Sequence, residues 1–495
     1  MIRKEETAVK LTKLFENISV LEMHADPETE ISAVSSDSRK IIENAAFVCL
    51  SGLNQDGRAY IPSAFEKGAA VAVCEKAPEG EYSFVLVEDA RAALPVLLSN
   101  LYSHPEKSFQ RIIGITGTNG KTTTSFMLKS IFEAAGHKTG LIGTTKYLVD
   151  NEEYKVDKSA AFLTTPDPEL LFALFDAMRK KGVDTVIMEA SSHALALKKL
   201  TGVPFDLALF TNLTQDHIDF HKTMEEYLKA KKSLFNVAKE GIFNRDDAAF
   251  DAITEGVASS VTSYGKNESS DFRVTKIISH SDRGIRYLLE VGQKSFEISL
   301  PVSGEFNIYN SLAAIAAAGK CGIAMEEVQK GLFTMEGVKG RIERIPTDTP
   351  FSVFIDFAHT PDALDNILTT LRGFTKGKLV TLFGCGGDRD RTKRPLMGEI
   401  ACQKSDFVIV TSDNCRSEKK EDIIRDILVG VENKGTPFVA ITDRTEAIRF
   451  AIDHAEAGDV ILLAGKGHEE YEIDNMGKHD YSEKKIVLEY IGEKK

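Results

Sequence analysis

A glycine-rich stretch at residues 114–123 is the feature that most constrains how this chain can fold. It reads Gly-Ile-Thr-Gly-Thr-Asn-Gly-Lys-Thr-Thr and joins an apolar, β-like run at 111–116 to a segment with helical apolar spacing at 121–135. In such a loop the backbone N–H groups point at phosphate oxygens, and the positive end of the helix dipole favours the anion. The stretch therefore predicts a parallel sheet covered by helices, with a nucleotide-phosphate site at the end of one strand.

The spacing of these glycines departs from the common Walker A pattern. That pattern requires a glycine where Ile115 stands, so the motif here is Gly-x-x-Gly-x-x-Gly-Lys-Thr. Lys121 is expected to reach the β and γ phosphates of ATP, and the Thr122 hydroxyl is expected to ligate Mg2+. A glycine turn that only caps an ordinary helix is the alternative. The predicted ATP-binding residues of this P-loop are Gly117, Thr118, Asn119, Gly120, Lys121, Thr122 and Thr123.

The length and the order of β-like and helical segments predict an α/β protein of three domains, because 495 residues exceed what one core usually organises. Residues 1–105 mix short β-rich runs with helical stretches and predict a small α/β domain. Residues 106–338 hold the P-loop in a central domain with a parallel-rich sheet. Residues 339–495 alternate strands with helices, which predicts a doubly wound, Rossmann-like sheet that binds ligands beyond its carboxyl edge. The expected strands of this last domain are 379–383, 407–410, 438–441 and 460–463.

Charge and composition exclude several classes of protein. The net charge of -13 disfavours a general binder of nucleic acid or anionic membranes, since such proteins need a basic footprint. No apolar run approaches the ~20 residues of a membrane span, and the first residues lack the apolar core of a secretory signal, so we expect a cytoplasmic protein. The six cysteines show no CxxC pairs and are expected to be reduced thiols, neither zinc ligands nor disulfides.

Three polar residues after the P-loop are candidate metal ligands. Glu189 follows an apolar strand at 183–188, where a carboxylate can face the phosphates and hold Mg2+. His217 lies in a polar loop directly after the next strand and is a candidate second ligand. Lys231 lies in a helical segment with two other lysines. Each has a simpler alternative: a solvated strand end, a surface histidine and a solvated helix face.

Taken in chain order, the motifs resemble those of the Mur ligase family, and more narrowly its UDP-N-acetylmuramoyl-tripeptide synthetases. The resemblance runs over nearly the whole chain. The motifs that carry it are at residues 37–39, 56–58, 116–123, 164–166, 189–195, 211–221, 304–310, 340–343, 356–362 and 383–394. The resemblance implies an N-terminal UDP-binding domain, a central ATPase domain and a C-terminal domain that brings the incoming amino acid.

The resemblance also implies roles for individual residues. Catalysis is assigned to Lys121, Glu189, His217 and Lys231. Mg2+ is assigned to Thr122, Glu189, His217 and Lys231, the last as a carbamate, whose anionic oxygens can ligate the ion. Further contacts to ATP are assigned to Asn307, Asn310, Arg341, Asp356 and His359. The UDP-linked substrate is assigned to Ser38, Thr164, Thr165, Ser191 and Lys199. The family usually has Arg at position 199 and often His at position 58, where this chain has Arg58.

The amino acid that is added is expected to be read in the C-terminal domain. In the family an Asp-Asn-Pro-Arg frame accompanies meso-diaminopimelate, and lysine-adding members lack that arginine. A guanidinium fork suits the second carboxylate of diaminopimelate. This chain keeps Arg416 but has Cys415 in place of Pro. The alternative is that Arg416 is a surface charge paired with Glu418. The residues assigned to the amino acid are Arg389, Asp413, Asn414, Arg416, Gly465 and Glu469.

The implied activity is ATP-dependent addition of meso-2,6-diaminopimelate to UDP-N-acetylmuramoyl-L-alanyl-D-glutamate through an acyl phosphate, in peptidoglycan precursor synthesis. We expect a monomer. A lysine-adding ligase is the first alternative, and a folylpolyglutamate or cyanophycin synthetase is the second. A non-catalytic nucleotide-binding paralogue is the third, because Arg58, Lys199 and Cys415 depart from the family pattern.

Overall fold

The computed structural model describes residues 8–52, 56–156, 163–281, 283–335, 337–432 and 434–493. Its contacts divide the chain into two compact units. The first contains Met1–Tyr264 and Ala313–Val328, and the second contains Gly265–Leu312 and Gln329–Lys495. The three domain boundaries expected from the sequence stay a prediction.

The N-terminal part of the first unit is a small mixed sheet with short helices. Its strands are β1 Val9–Lys10, β2 Val20–His24, β3 Glu30–Ile31, β4 Ala33–Ser35, β5 Ala45–Val48, β6 Ala69–Cys74 and β7 Phe84–Val87. Its helices are α1 Leu11–Leu14, α2 Ile61–Glu66 and α3 Ala90–Leu101. The order in the sheet is β2-β7-β6-β5-β4, with β4 to β7 parallel and β2 antiparallel to β7, while β1 pairs with β3. Strands β5 and β6 contain only Ala, Val, Phe and one Cys, as expected for strands buried on both faces.

The central sheet of the first unit positions the P-loop. Its strands are β8 Arg111–Thr116, β9 Thr139–Ile142, β10 Tyr147–Val149, β11 Glu152–Glu153, β12 Thr185–Glu189, β13 Leu207–Phe210, β14 Glu240–Asn244 and β15 Ser260–Gly265. The order is β11-β10-β9-β12-β8-β13-β14-β15, and the run from β9 to β15 is parallel. The helices are α4 Lys121–Ala134, α5 Pro168–Lys180, α6 Ser192–Ala196, α7 Ile218–His221, α8 Met224–Lys232 and α9 Phe250–Thr254. Two later helices, α10 Phe306–Lys320 and α11 Met325–Thr334, have residues in both units.

The second unit begins with an antiparallel meander, in which β17 pairs with both neighbours. Its strands are β16 Phe272–Ser281, β17 Gly284–Val291 and β18 Lys294–Leu300. Buried side chains alternate along β17 with exposed or half-buried ones, which is the period of two expected for a strand with one covered face.

The remainder of the second unit is a doubly wound sheet, as predicted. Its strands are β19 Glu343–Arg344, β20 Ser352–Asp356, β21 Leu379–Phe383, β22 Phe407–Val410, β23 Phe438–Ala440 and β24 Val460–Ala464. The order is β19-β20-β24-β21-β22-β23, parallel from β20 onward. The helices are α12 Pro361–Arg372, α13 Lys393–Lys404, α14 Lys420–Val431, α15 Arg444–Asp453 and α16 Glu483–Glu493. Apolar residues of α12 to α14 share one core cluster, and those of α15 and α16 share another.

A hairpin of β25 Tyr471–Asp474 and β26 Gly477–Asp480 follows the last strand of this sheet. The cysteines, all of which lie in the described ranges, are thiols, as expected. Among the described residues no helix combines the length and the apolar character that crossing a membrane requires. The α/β class predicted from the sequence is confirmed in both units.

Candidate active site

The P-loop lies at the carboxyl edge of the central sheet, between two other strand ends. In the parallel register Glu189 of β12 is opposite Ile115 of β8, and Phe210 of β13 is opposite Thr116. The residues that follow β8, β12 and β13 therefore meet at one edge. This is where ligands of open α/β sheets bind, as the sequence predicted.

The conformation of the P-loop requires glycine at position 117. Gly117 has φ +146°, and a Cβ there would lie 1.9 Å from the Oγ1 of Thr211. That hydroxyl donates a hydrogen bond of 2.6 Å to the carbonyl oxygen of Asn119. The loop amide of Asn119 donates to the side-chain oxygen of Asn212 at 2.9 Å. The segment after β13 therefore holds the loop open toward the sheet edge.

Lys121 folds back over the loop in this structure. Its Nζ donates to the carbonyl oxygens of Gly117 and Thr118, each at 2.8 Å. Thr122 and Thr123 are buried in the first turn of α4, which begins at Lys121 directly after Gly120 with φ +86°. The alternative of a simple capping turn does not explain why a lysine ammonium lies on the loop carbonyls.

Lys231 is buried, so the solvated-face alternative for this residue is wrong. Its exposed fraction is 1%, whereas the side chain of Lys229 is 78% exposed. The Nζ of Lys231 lies 4.3 Å from the ring centroid of Tyr227, and no described carboxylate forms an ion pair with it. Burial lowers the pKa of Lys231 well below its usual value, and the Lys121 ammonium lowers it further. The Asp216 carboxylate acts in the opposite direction.

His217 belongs to a cluster of imidazoles beside α8. Its ring lies 4.7 Å from that of His193, which lies 5.4 Å from His221. Partial burial lowers the pKa of His217, and the cations Lys121 and Lys231 lower it further, while Asp216 acts in the opposite direction. His217 adopts a left-handed conformation with φ +54°. Lys121 is thus close enough to affect the protonation of both His217 and Lys231.

Glu189 is fully buried, so it is not a solvated strand end. One carboxylate oxygen accepts the backbone N–H of Thr144 at 2.9 Å, and the other accepts the Thr144 hydroxyl at 2.9 Å. The predicted substrate residues Thr164, Thr165 and Ser191 adjoin this pair. Thr164 and Thr144 share a hydroxyl hydrogen bond of 3.0 Å, and Thr165 donates to the carbonyl oxygen of Glu189 at 2.7 Å. Ser191 donates its backbone N–H to the Thr165 hydroxyl at 2.9 Å.

The predicted metal ligands are only partly brought together. Among the described residues no three His, Cys, Asp or Glu side chains are arranged to hold a metal ion. Both carboxylate oxygens of Glu189 accept hydrogen bonds from Thr144. Lys231, as an unmodified amine, offers no oxygen ligand. The assignment of Mg2+ ligands therefore stays a prediction.

A cavity of about 550 Å³ opens in the N-terminal part of the first unit. Its lining residues include Ser36, Ser38, Arg39 and Tyr60. Ser36 donates through both its backbone N–H and its hydroxyl to Glu169, at 2.9 and 2.8 Å. The predicted substrate residue Lys199 lies elsewhere in this unit and pairs with Asp167 at 2.7 Å.

The second unit contains the other predicted ATP contacts, of which Asp356 ends β20 and His359 follows it. The Asp356 carboxylate accepts the backbone N–H groups of Ile342 and Ala358 at 2.7 and 2.8 Å. Burial raises the pKa of Asp356, and the Arg341 guanidinium opposes that rise. The Nδ1–H of His359 donates a hydrogen bond of 2.8 Å to the Phe357 carbonyl oxygen. Asn307 and Asn310 are buried elsewhere in this unit, joined by a 2.8 Å hydrogen bond.

The predicted amino-acid residues lie at the carboxyl ends of β22 and β24. Both carboxylate oxygens of Glu469 are bonded, one by the Asn414 amide at 2.7 Å and the other by the Tyr471 hydroxyl at 3.1 Å. Burial raises the pKa of Glu469, and Asp413 adds to the rise. Gly465 has φ +114°, and a Cβ there would lie 2.6 Å from the Asp413 carboxylate.

Arg416 is not paired with Glu418, so that alternative is wrong. Glu418 is instead bonded by Arg394 at 2.7 and 2.9 Å. The Nη1 of Arg416 donates to the Gly387 carbonyl at 2.8 Å. Its Nε and Nη2 make no hydrogen bond to the described residues. Arg389 is exposed on the neighbouring loop.

Comparison with known proteins decides the family. The profile of the Mur ligase middle domain matches residues 115–318, that of the Mur ligase glutamate ligase domain matches 340–467, and that of the Mur ligase family catalytic domain matches 30–100. A Clostridium acetobutylicum protein, UDP-N-acetylmuramoyl-L-alanyl-D-glutamate--2,6-diaminopimelate ligase 1, is 41% identical over 489 residues, which cover 98% of this chain and 100% of that protein. The chain belongs to the Mur ligase family.

Two further Mur ligases are similar over nearly their whole length. A ligase of Caldanaerobacter subterraneus subsp. tengcongensis has the same description, UDP-N-acetylmuramoyl-L-alanyl-D-glutamate--2,6-diaminopimelate ligase. It is 42% identical, and the alignment covers 95% of this chain and 97% of that protein. A solved structure of a ligase with that description is 30% identical, with a TM-score of 0.71. The alignment covers 98% of this chain and 99% of that one. The family resemblance inferred from the motifs is confirmed.

Sequence reasoning missed several residues of this Mur ligase site. They are Thr144, His193, Asn212, His221 and Tyr227. His193 and His221 lie in the segments that follow strands β12 and β13, where parallel sheets bind their ligands, so chain position was an available signal for both histidines. Thr144 and Asn212 gave no such signal, because each acts across the sheet edge on a residue distant in sequence.

Proposed function

We propose that this chain joins 2,6-diaminopimelate to UDP-N-acetylmuramoyl-L-alanyl-D-glutamate at the expense of ATP. The observation that carries the proposal is 41% identity over 98% of the chain to a ligase of that description. The P-loop, the buried Lys231 and the unpaired edge of Arg416 support it. ATP and nucleotide-linked precursors are made inside cells, so we place the reaction in the cytoplasm, with the protein acting as a monomer.

The chemistry requires activation of the substrate carboxylate, which is a poor electrophile. Transfer of the γ-phosphoryl group of ATP to this carboxylate gives an acyl phosphate and ADP. The amine of diaminopimelate attacks the acyl carbon, and the tetrahedral intermediate expels phosphate. Both reactants of the first step are anions, so positive charge has to be placed at the γ phosphate. Lys121 supplies it when its ammonium leaves the loop carbonyls for the phosphate.

Mg2+ fits the chemistry of the proposed donors once Lys231 is carbamylated. The reaction of its neutral amine with CO2 forms an N–C bond and releases a proton, leaving an anionic carbamate. Burial without an ion-pair partner favours this change, because it keeps the amine unprotonated. Thr122, Glu189, His217 and the carbamate of Lys231 would then hold the ion, mostly through the oxygen atoms that Mg2+ prefers. When bound, Mg2+ neutralises charge on the phosphates.

Arg416 is proposed to bind the second carboxylate of diaminopimelate. Replacing it by alanine should raise the KM for diaminopimelate on the order of 10²-fold, since two charge-assisted hydrogen bonds are lost. The KM for ATP should change less than about twofold. The matched control is Arg425→Ala, because Arg425 pairs on the surface with Asp422 at 3.0 Å. Steady-state ADP release measures both constants, and an equal rise in the two would remove this role from Arg416.

Gly117 is proposed to be essential for nucleotide binding. We expect Gly117→Ala to weaken ATP binding at least about tenfold, because the added methyl group collides with Thr211 and displaces the loop. Gly136→Ala is the control: Gly136 has φ +85°, but nothing lies within 4 Å of its added Cβ. Calorimetric titration with ATP should separate the two variants. Equal affinities would show that the loop does not bind the nucleotide.

A single incubation tests the proposed function. The protein is mixed with ATP, Mg2+, UDP-N-acetylmuramoyl-L-alanyl-D-glutamate and either diaminopimelate or lysine, and the UDP product is weighed by mass spectrometry. We expect the diaminopimelate adduct. A lysine adduct would move the chain to the lysine-adding ligases. Phosphate release only with a folate or another carboxylate would identify a different synthetase, and no ADP with any amino acid would indicate a non-catalytic paralogue.

A further inference from the structure

Two loops of the second unit are pressed together at the carboxyl ends of β21 and β22. These are the 384–389 loop and the 411–418 loop, which follow adjacent parallel strands. A Cβ added at Gly387 would lie 1.9 Å from the carbonyl oxygen of Cys415, and one at Gly386 would lie 2.8 Å from the Nη1 of Arg416. The contact at Gly387 is with backbone and requires glycine, whereas a side chain at Gly386 would displace the Arg416 guanidinium, so the position of Arg416 depends on the neighbouring loop.

Each loop contains a residue in a backbone conformation that side chains disfavour. Asp388 has φ +53° and Arg416 has φ +52°. For a residue other than glycine the left-handed region costs roughly 1 kcal/mol, so surrounding contacts must hold both residues there. Aspartate tolerates this region better than arginine does. Arg416 is therefore the residue that most needs external support.

Asp388 provides part of that support across the two loops, in addition to the Ile473 carbonyl, which accepts the backbone N–H of Arg416 at 3.1 Å. Its carboxylate accepts the hydroxyl of Ser417 at 2.6 Å and the backbone N–H of Ser417 at 3.1 Å. The backbone N–H of Asp388 donates to Glu418 at 2.6 Å. Ser417 is the residue directly after Arg416, so these bonds fix the peptide that follows the strained position.

Arg394 anchors the same contacts to the domain core. Its side chain is fully buried and donates to both carboxylate oxygens of Glu418, to Asp426 at 2.9 Å and to the carbonyl of Gly386 at 3.3 Å. One guanidinium therefore joins both loops to helix α14. Arg394 occupies the carboxylates of Glu418 and Asp426, so neither pairs with Arg416. The Nε and Nη2 of Arg416 therefore stay available for a ligand.

We propose that Asp388, Ser417, Glu418 and Arg394 form a clamp that positions Arg416 for the distal carboxylate of the incoming diamino acid. The inference rests on the proposed function and deepens it. Asp388 is a positioning residue: it acts through the backbone at Ser417 and through the loop carbonyl that Arg416 contacts, and it makes no contact with substrate. The clamp thus determines the choice between diaminopimelate and an amino acid with a single carboxylate.

The test compares Asp388→Ala and Ser417→Ala with the surface control Asp422→Ala. We expect the KM for diaminopimelate to rise about tenfold in the first two variants, because the guanidinium of Arg416 is displaced from its binding position. The KM values for ATP and for the UDP substrate should not change. Asp388→Asn should restore most of the affinity, since asparagine tolerates the left-handed region and keeps one acceptor oxygen. If Asp388→Ala fails to fold, Ser417→Ala decides.

A double-mutant cycle separates positioning from general stability. In an Arg416→Ala background, Asp388→Ala should raise the KM for diaminopimelate by less than about twofold more, because both changes remove one interaction. Additive losses, or equal rises in all three KM values, overturn the clamp while leaving the proposed function intact. If the unaltered protein releases no ADP with diaminopimelate, the proposed function itself fails and the clamp with it.

Discussion

Replacing Lys231 should lower the turnover of the ligase on the order of 10²- to 10³-fold, the loss typical when one group that stabilises transition-state charge is removed. The structural reason is its position: the amine is buried beside Tyr227, has no ion-pair partner among the described residues and lies within electrostatic reach of Lys121 and His217. Lys231→Met is the preferred variant, because methionine keeps the volume of the buried chain and avoids a cavity.

Lys229→Ala is the matched control for Lys231→Met, since Lys229 lies on the exposed side of the same helix. Phosphate-release kinetics give kcat, and mass spectrometry of the intact protein or a 13C-bicarbonate NMR signal reports the carbamate directly. Full activity of a folded Lys231→Met variant would rule out a catalytic carbamate at this position. A carbamate signal that survives in that variant would place the modification elsewhere.

Replacing Lys121 by alanine should reduce kcat about 10³-fold, because the only P-loop ammonium is lost from the γ phosphate. We expect the variant to fold, because water can satisfy the two loop carbonyls that accept hydrogen bonds from Lys121. Lys138→Ala is the control, as Lys138 is a half-exposed surface lysine paired with Asp150. Single-turnover formation of ADP measures the chemical step, and an unchanged rate would exclude Lys121 from phosphoryl transfer.

The sequence predicted the elements that position the site, because the strands of parallel sheets are apolar runs bounded by turns. The strand at 111–116 and the helix beginning at Lys121 agree with the structure, as do the strands at 379–383 and 407–410. Short or mixed strands were missed. Strand β20, Ser352–Asp356, carries Asp356 yet was not predicted as a strand.

The contacts that give the site its chemistry were less accessible to sequence reasoning. Periodicity could not show that Lys231 is buried and Lys229 exposed, because both lie in one lysine-rich turn. Nor could it show that Thr144 donates hydrogen bonds to the Glu189 carboxylate, since 45 positions separate the two residues. The pairing of Arg416 with Glu418 looked plausible from their proximity in sequence, but Arg394, 24 positions away from Glu418, takes that carboxylate.

The carbamate that we propose at Lys231 would make the activity of the enzyme depend on dissolved CO2. A carbamate exchanges with CO2, so a fully active population needs inorganic carbon as well as its named substrates. Degassed buffers, prolonged dialysis and storage under argon would then deplete it, and specific activity would depend on the history of a preparation. Added bicarbonate should return such material to full strength without refolding.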